Sequence, residues 1–340
     1  MKIFKRVLIV LLILVAIVAG GGYAFYKANT NALKSIHNTQ KSVSSKIENG
    51  KPFSVLLLGA DTGADGRVDR GNSDTIMVLT INPNSKKVLM YSVPRDTMAE
   101  MVGDSPKNVQ KINSAYAIGS NKMAKQSVSA LLNVPIDYTV TINMRALKKT
   151  VDFVDGVDIN TPIKVSYDGV TIPKGKHHLN GKKALTYARM RYGDPRGDYG
   201  RQLRQQEVLQ GVIKKLKSPK YLTQLPSLIK TVGPEIITDM TDNEMNLLPV
   251  KYYMVGNNFE SKQLDEKTAW INGSSYQVAS TKSLQKASDT LRKSLDLSTS
   301  KVDNMETKLN KYNQDFFSDP DNTDYDDRGL NHTFYTNDTY

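Results

Sequence analysis

The chain has 340 residues, a formal net charge of +12 and no cysteine. That length allows one large domain or two small ones, and the missing thiols exclude disulfides, iron–sulfur clusters, cysteine zinc sites and thiol nucleophiles. His37, His177, His178 and His332 are too scattered for a metal cluster, and with no G-x-S-x-G elbow present a Ser-His-Asp hydrolase is not favoured either.

Val7 to Phe25 is almost unbroken apolar sequence, close to the ~20 residues of a bilayer-spanning helix. Lys2, Lys5 and Arg6 precede it, which keeps the N-terminus cytoplasmic and places the chain from about Lys27 onward outside. The organisation expected is a cytoplasmic N-terminus over 1–6, a transmembrane helix over 7–26 and a polar extracellular stalk over 27–51. A cleaved signal peptide is the alternative, since Ala19-Gly20-Gly21-Gly22 is rich in small residues, but the apolar run is long for one. An exported basic chain meets anionic lipid headgroups and phosphate-rich wall polymers in place of nucleic acid.

Phe53 to Gly59 is a short apolar run ending in glycine, the pattern of a buried strand. Ile76 to Ile81 reads as a second strand, Asn82-Pro83-Asn84-Ser85 as a turn, and Val88 to Val93 as a third strand stopped by Pro94. If strands one and two are antiparallel and strands two and three form a hairpin, Asp61, Asp74 and Arg95 share one rim of the sheet. A parallel crossover between the first two strands would break that rim. Two carboxylates and an arginine there suit Mg²⁺ with a phosphate, although Asp61 and Asp74 also read as turn-capping residues.

Asn121 to Leu132 looks helical, Ile136 to Ile142 is β-rich, and Met144 to Val154 is again helical, followed by an Asp155-Gly156 turn. Short β-like pieces fill 157–180, and Asn180-Gly181 opens a helix through Arg189. After Asp198, Leu209, Val212, Ile213 and Leu216 repeat at the i, i+3, i+4, i+7 spacing of one buried face, and Pro219 ends the helix. Alternating strands and helices make a layered α/β or α+β sheet the economical fold. From Ser298 the apolar content drops, and the acidic run Asp315 to Asp327 has no basic residue, which predicts a disordered tail over 298–340.

Five arginines lie between 189 and 204, while Ala184 to Ile213 contains no lysine. A guanidinium is a planar fork that grips two oxygens of one phosphate and does not titrate away, so this cluster reads as a phosphate or pyrophosphate clamp. Arg201 and Arg204 fall in the opening turns of a helix, where a bound anion turns an unfavourable dipole interaction into a favourable one. Arg189 and Arg191, two residues apart, point to one side if their segment is extended. Asp194 and Asp198 lie among them, so a structural ion-pair network is the competing reading.

The chain thus carries, in order, an apolar N-terminal segment, Leu56-Leu57-Leu58-Gly59-Ala60-Asp61, Asn72-Ser73-Asp74-Thr75, Ser92-Val93-Pro94-Arg95-Asp96, Lys111-Ile112-Asn113-Ser114-Ala115-Tyr116, Arg189-Met190-Arg191 and Asp198-x-x-Arg201-x-x-Arg204-Gln205. This series resembles the LytR-CpsA-Psr family of wall-assembly phosphotransferases from about Pro52 to at least Lys217, and on to near residue 295.

The resemblance implies an extracellular three-layer α/β/α sandwich with a mixed central sheet over 52–297, tethered by one N-terminal transmembrane helix to the membrane of a Gram-positive type of cell. Such enzymes move an anionic glycopolymer, wall teichoic acid or capsular polysaccharide, from a polyprenyl pyrophosphate carrier onto peptidoglycan through a phosphodiester, without nucleic acid. Matched motif by motif, Asp61 and Asp74 would be Mg²⁺ ligands. Arg95, Arg189, Arg191 and Arg201 would hold the pyrophosphate with Gln205 nearby, and Arg204 and Lys111 are secondary candidates. Arg95 and Asp198 are the candidates for the chemistry itself, with Asp96 an alternative base. A pyrophosphatase acting on the same donor, or a non-catalytic wall-binding or regulatory protein, are the rival readings.

Overall fold

A computed structural model of the chain describes residues 45–60, 71–216, 235–252 and 258–332, with positions 218, 220, 221, 224, 231 and 255 between them. The expected transmembrane helix, most of the stalk and Asp61 lie outside the described residues, among which no helix is long and apolar enough to cross a membrane.

In chain order the strands are β1 (Phe53–Ala60), β2 (Ser73–Asn82), β3 (Lys87–Ser92), β4 (Met98–Glu100) and β5 (Val109–Lys111). Helix α1 (Ser114–Leu132), β6 (Tyr138–Asn143) and α2 (Met144–Phe153) follow, then β7 (Val157–Thr161), β8 (Val165–Tyr167), β9 (Val170–Ile172) and β10 (Gly175–Leu179). Next come α3 (Gly181–Arg189), α4 (Gly197–Leu216), β11 (Ile236–Thr238), α5 (Asp242–Lys251), β12 (Asn258–Gln263), β13 (Lys267–Ile271) and β14 (Ser274–Val278). Helices α6 (Thr281–Ser294), α7 (Met305–Asn310) and α8 (Gln314–Ser318) complete the described chain.

Six strands form a mixed sheet in the order β11-β6-β1-β2-β3-β12. All eight residues of β1 are buried, as a strand covered on both faces requires. Only four residues link β2 to β3, too few for a parallel crossover, so the two form an antiparallel hairpin. Its turn is fixed by the Asn82 side chain, which accepts from the amides of Asn84 (2.9 Å) and Ser85 (3.1 Å). A Cβ on Gly59 would lie 2.8 Å from the Thr75 side chain. The end of β1 therefore lies beside the start of β2, the antiparallel arrangement on which the rim depended.

The described residues divide into two compact units, one drawn from 45–53, 80–90 and 142–261, the other from 54–60, 71–79, 91–141 and 262–332. In the first, α3 packs against α2 and α4, and β7 pairs with β10. Residues 45–51, expected in the stalk, are packed here. Ser45 and Glu48 cap each other's amides, Ile47 is fully buried, and the Tyr252 hydroxyl donates to the Lys51 carbonyl at 2.5 Å.

In the second unit the expected disordered tail is overturned as far as residue 332. Leu309, Phe316 and Tyr325 join Met98, Val109, Ala269, Ile271, Tyr276 and Val278 in one core cluster. Phe316 meets Phe317 and Tyr325 edge to face, at 4.9 and 5.2 Å. Most of the acids face water while Phe316 and Tyr325 are buried; Asp327 is also buried and accepts from the Gly329 and Asn331 amides. Composition averages over these two faces, and so it misread the segment.

Candidate functional site

In the first unit, the Asn180 side chain caps α3 by accepting from the Lys183 amide. Met190, at φ −54° and ψ 129°, turns the chain out of the helix directly after Arg189. Arg189 thus belongs to a helical last turn, so the extended segment expected to align it with Arg191 does not exist. Its guanidinium lies 5.5 Å from the centre of the Tyr167 ring, and that of Arg191 lies 5.7 Å from Tyr192, which is 82% exposed. Among the described residues neither has a carboxylate partner.

The other three arginines do. The Asp194 carboxylate is fully buried, and Arg196 grips it from Nε and Nη2, both at 3.1 Å. Arg204, 1% exposed, donates to Asp194 and to the Tyr187 and Met190 carbonyls. Burial alone would raise the Asp194 pKa, but the hydrogen bonds from Arg196 and then Arg204 outweigh it and hold the carboxyl below the ordinary carboxylate range. Gly200 is the only residue type that fits beneath this carboxylate, since a Cβ there would lie 2.0 Å from Asp194 Oδ2. Arg204 therefore faces the chain's own loop, where its guanidinium ties the end of α3 to the turn before α4.

Arg201 Nη2 lies 2.7 Å from Asp198 Oδ1, an ion pair whose angle falls short of a hydrogen bond. Asp198 Oδ2 accepts from Gln202 Nε2 at 3.0 Å, and its place in the first turn of α4 suits the positive end of that helix. Gln205 Nε2 donates to the Ala188 carbonyl at 3.4 Å.

The second unit holds the rim. Ser73, buried at the start of β2, donates from its amide to the Asn113 carbonyl (3.3 Å), and the Asn113 amide donates to that of Arg95 (3.2 Å). These bonds set Asp74 beside Arg95, whose Nη1 donates to Asp74 Oδ1 at 2.9 Å. Arg95 Nε lies 3.6 Å from Asp96 Oδ2, and Lys111 Nζ lies 3.8 Å from Asp96 Oδ1. Lys111 also donates to Ser274 Oγ at 2.8 Å and sits 5.2 Å from the centre of the Tyr276 ring. The four side chains are 19–29% exposed, shielded yet reachable.

Among the described residues no three His, Cys, Asp or Glu side chains cluster as a metal cage. The carboxylates described on the rim, Asp74 and Asp96, are oxygen donors of the type that Mg²⁺ takes one or two of beside substrate phosphates and water. Ser274, Tyr276 and Asp194 were not singled out as site residues by sequence. Gly200, a glycine inside a helix, was the available signal for the Asp194 turn.

The sequence profile of the LytR_cpsA_psr family matches residues 22–293. A relative from Enterococcus faecalis, named polyisoprenyl-teichoic acid–peptidoglycan teichoic acid transferase TagU, is 35% identical over 297 residues, 86% of this chain and 97% of the relative. A crystal structure from Enterococcus faecalis described as a transcriptional regulator is 38% identical with a TM-score of 0.67, over 80% of this chain and 96% of that one. A structure of TagT bound to LI-WTA is 27% identical with a TM-score of 0.61, over 77% and 96%. The mixed α/β fold and the profile match together make this chain a member of the LytR_cpsA_psr family.

Proposed function

We propose that this protein is a membrane-anchored extracellular phosphotransferase that moves an anionic glycopolymer, wall teichoic acid or capsular polysaccharide, from a polyprenyl pyrophosphate carrier onto peptidoglycan. The observation that carries this reading is the charge pattern of the arginine turn. Arg196, Arg201 and Arg204 face Asp194 and Asp198, whereas Arg189 and Arg191 keep only ring contacts among the described residues. The names of the relatives supply the substrate class.

In the reaction, an acceptor hydroxyl oxygen attacks the sugar-linked phosphorus of the donor. A new P–O bond forms, the bond to the bridging oxygen breaks, and polyprenyl phosphate leaves with the electron pair. Asp198 or Asp96 takes the hydroxyl proton. Such a transfer needs mainly positioning and charge stabilisation. Arg189, Arg191 and Arg201 hold phosphoryl oxygens, with Gln205 alongside, and Arg204 keeps their turn in shape. In the other unit Arg95 and Lys111 offer cations to phosphate oxygens. Asp74, with Asp61, would hold Mg²⁺, which would supply neutralising charge to a bound phosphate.

The test is a synthetic lipid-linked donor incubated with the full chain, with and without peptidoglycan fragments. Transfer yields a joined glycan and releases polyprenyl phosphate only when acceptor is present. Free glycan phosphate formed from water would make the protein a pyrophosphatase instead. Polymer attachment persisting in cells that carry Arg191→Ala and Asp74→Ala would replace catalysis with a wall-binding or regulatory role.

A further inference from the structure

The family profile ends at residue 293, but the chain continues to fold against the strand that carries Lys111. We propose that this C-terminal segment positions Lys111 for the transfer reaction, acting through Asn331 and Tyr276. The inference rests on the reading of Lys111 as a cation used by the reaction. All the contacts that carry it lie within the second unit.

The segment is tied to β5 along its backbone. The Val109 amide donates to the Leu330 carbonyl at 3.0 Å, two residues before Lys111, and His332 Nε2 lies 3.1 Å from the Lys107 carbonyl. Between these ties sits Asn331, 2% exposed. Its amide donates to Asp327 Oδ2 (3.0 Å), its carbonyl accepts from Asn272 Nδ2 (2.9 Å), and its Nδ2 donates to the Tyr276 hydroxyl (2.6 Å). With its backbone held on both sides, Asn331 presents its side-chain amide to the Tyr276 hydroxyl.

Tyr276 is fully buried, and that hydrogen bond fixes its ring at the hydroxyl end. The ring face then holds the Lys111 ammonium at 5.2 Å, within cation–π reach, while Ser274 Oγ accepts a hydrogen bond from it at 2.8 Å. A lysine ammonium is a point charge on a flexible stem, so its location depends on such neighbours. Here they leave it 3.8 Å from Asp96, which in turn lies 3.6 Å from Arg95. Asn331 and Tyr276 are thus positioning residues, and the segment outside the family profile completes the support of a charge inside it.

The experiment uses the full chain with Asn331→Ala and with Tyr276→Phe, which keeps the ring and loses the hydroxyl. The Lys111 ammonium signal, assigned by its loss in Lys111→Ala, is followed by nitrogen NMR while kcat and KM are measured with lipid-linked donor and peptidoglycan fragments. Both variants should shift the ammonium signal and lower kcat by about tenfold, the usual size of a supporting-partner effect, with KM for the donor changed less than about twofold. Neither should lower kcat further in a Lys111→Ala background. An unshifted ammonium, an unchanged kcat beside an inactive Lys111→Ala, or an equal loss in both backgrounds would overturn the inference and leave the proposed function standing. Full activity in Lys111→Ala would instead remove Lys111 from the reaction, and the inference with it.

Discussion

The arginine turn and the Asp74–Lys111 rim draw on similar side chains and balance them differently. Between residues 189 and 204 the sequence holds five arginines and two aspartates, a surplus of three positive charges. On the rim, Arg95 and Lys111 match Asp74 and Asp96 one for one. A balanced cluster holds its own geometry before any ligand arrives, whereas like charges crowded into one turn raise its free energy until an anion offsets them. The same contrast recurs inside the turn. Arg204 and Arg196 are committed to Asp194, and Arg189 and Arg191 have no carboxylate partner among the described residues.

Breaking the committed half should cost stability. Arg204→Ala leaves Asp194 buried with its innermost partner gone, and urea unfolding should show a loss of about 3–5 kcal/mol. Breaking the uncommitted half should cost activity instead. Arg191→Ala should keep stability within about 0.5 kcal/mol while kcat/KM for transfer falls about 10²–10³-fold, the scale for removing a preorganised charge from a transition state. If both variants lose stability alike, the division between the two halves is wrong.

A third prediction concerns the C-terminal segment. Glu306 is 3% exposed and its Oε2 has no hydrogen-bond partner among the described residues. Burial, and secondarily the charge of Glu100, push its pKa up to about 7, against hydrogen bonds that include one from the Glu100 amide. A carboxyl whose pKa is raised on folding binds its proton more tightly in the folded state. Its contribution to stability is therefore complete below the unfolded value of 4.5 and is lost as pH rises to about 7. The loss should total about 3 kcal/mol across that window. Glu306→Gln should flatten that part of the stability profile, and an unchanged profile would mean the carboxyl ionises as if exposed. Among the changes expected to lower stability, the smallest is for Gly200→Ala, about 1–3 kcal/mol from crowding the Asp194 carboxylate, read as a lower thermal midpoint.

The first three strands and their hairpin were legible because each is a short apolar run bounded by Gly, Pro or Asn, a pattern local enough to survive without tertiary context. The pairing of Asp74 with Arg95 followed from that hairpin alone. What sequence did not resolve was the division of labour among the arginines. It depends on which side chains of α4 face the Tyr187–Met190 backbone, and Arg204 is indistinguishable from Arg201 until the helix is docked. The tail was misread for a related reason: Leu309, Phe316 and Tyr325 are too few and too unevenly spaced to form a periodic face, yet each reaches the same core. Asn331 carries no sequence signal at all, because its partners Tyr276 and Asn272 lie more than fifty residues away.

The most direct measurement is calorimetric binding of a polyprenyl pyrophosphate to the full chain and to three single variants, Arg189→Ala, Arg191→Ala and Arg196→Ala. Loss of either carboxylate-free arginine should weaken binding at least about tenfold, as the loss of a charge-assisted phosphate contact does, while Arg196→Ala should change it less than about twofold. Equal weakening in all three, or none in any, would contradict the assignment of the turn's surplus charge to the diphosphate.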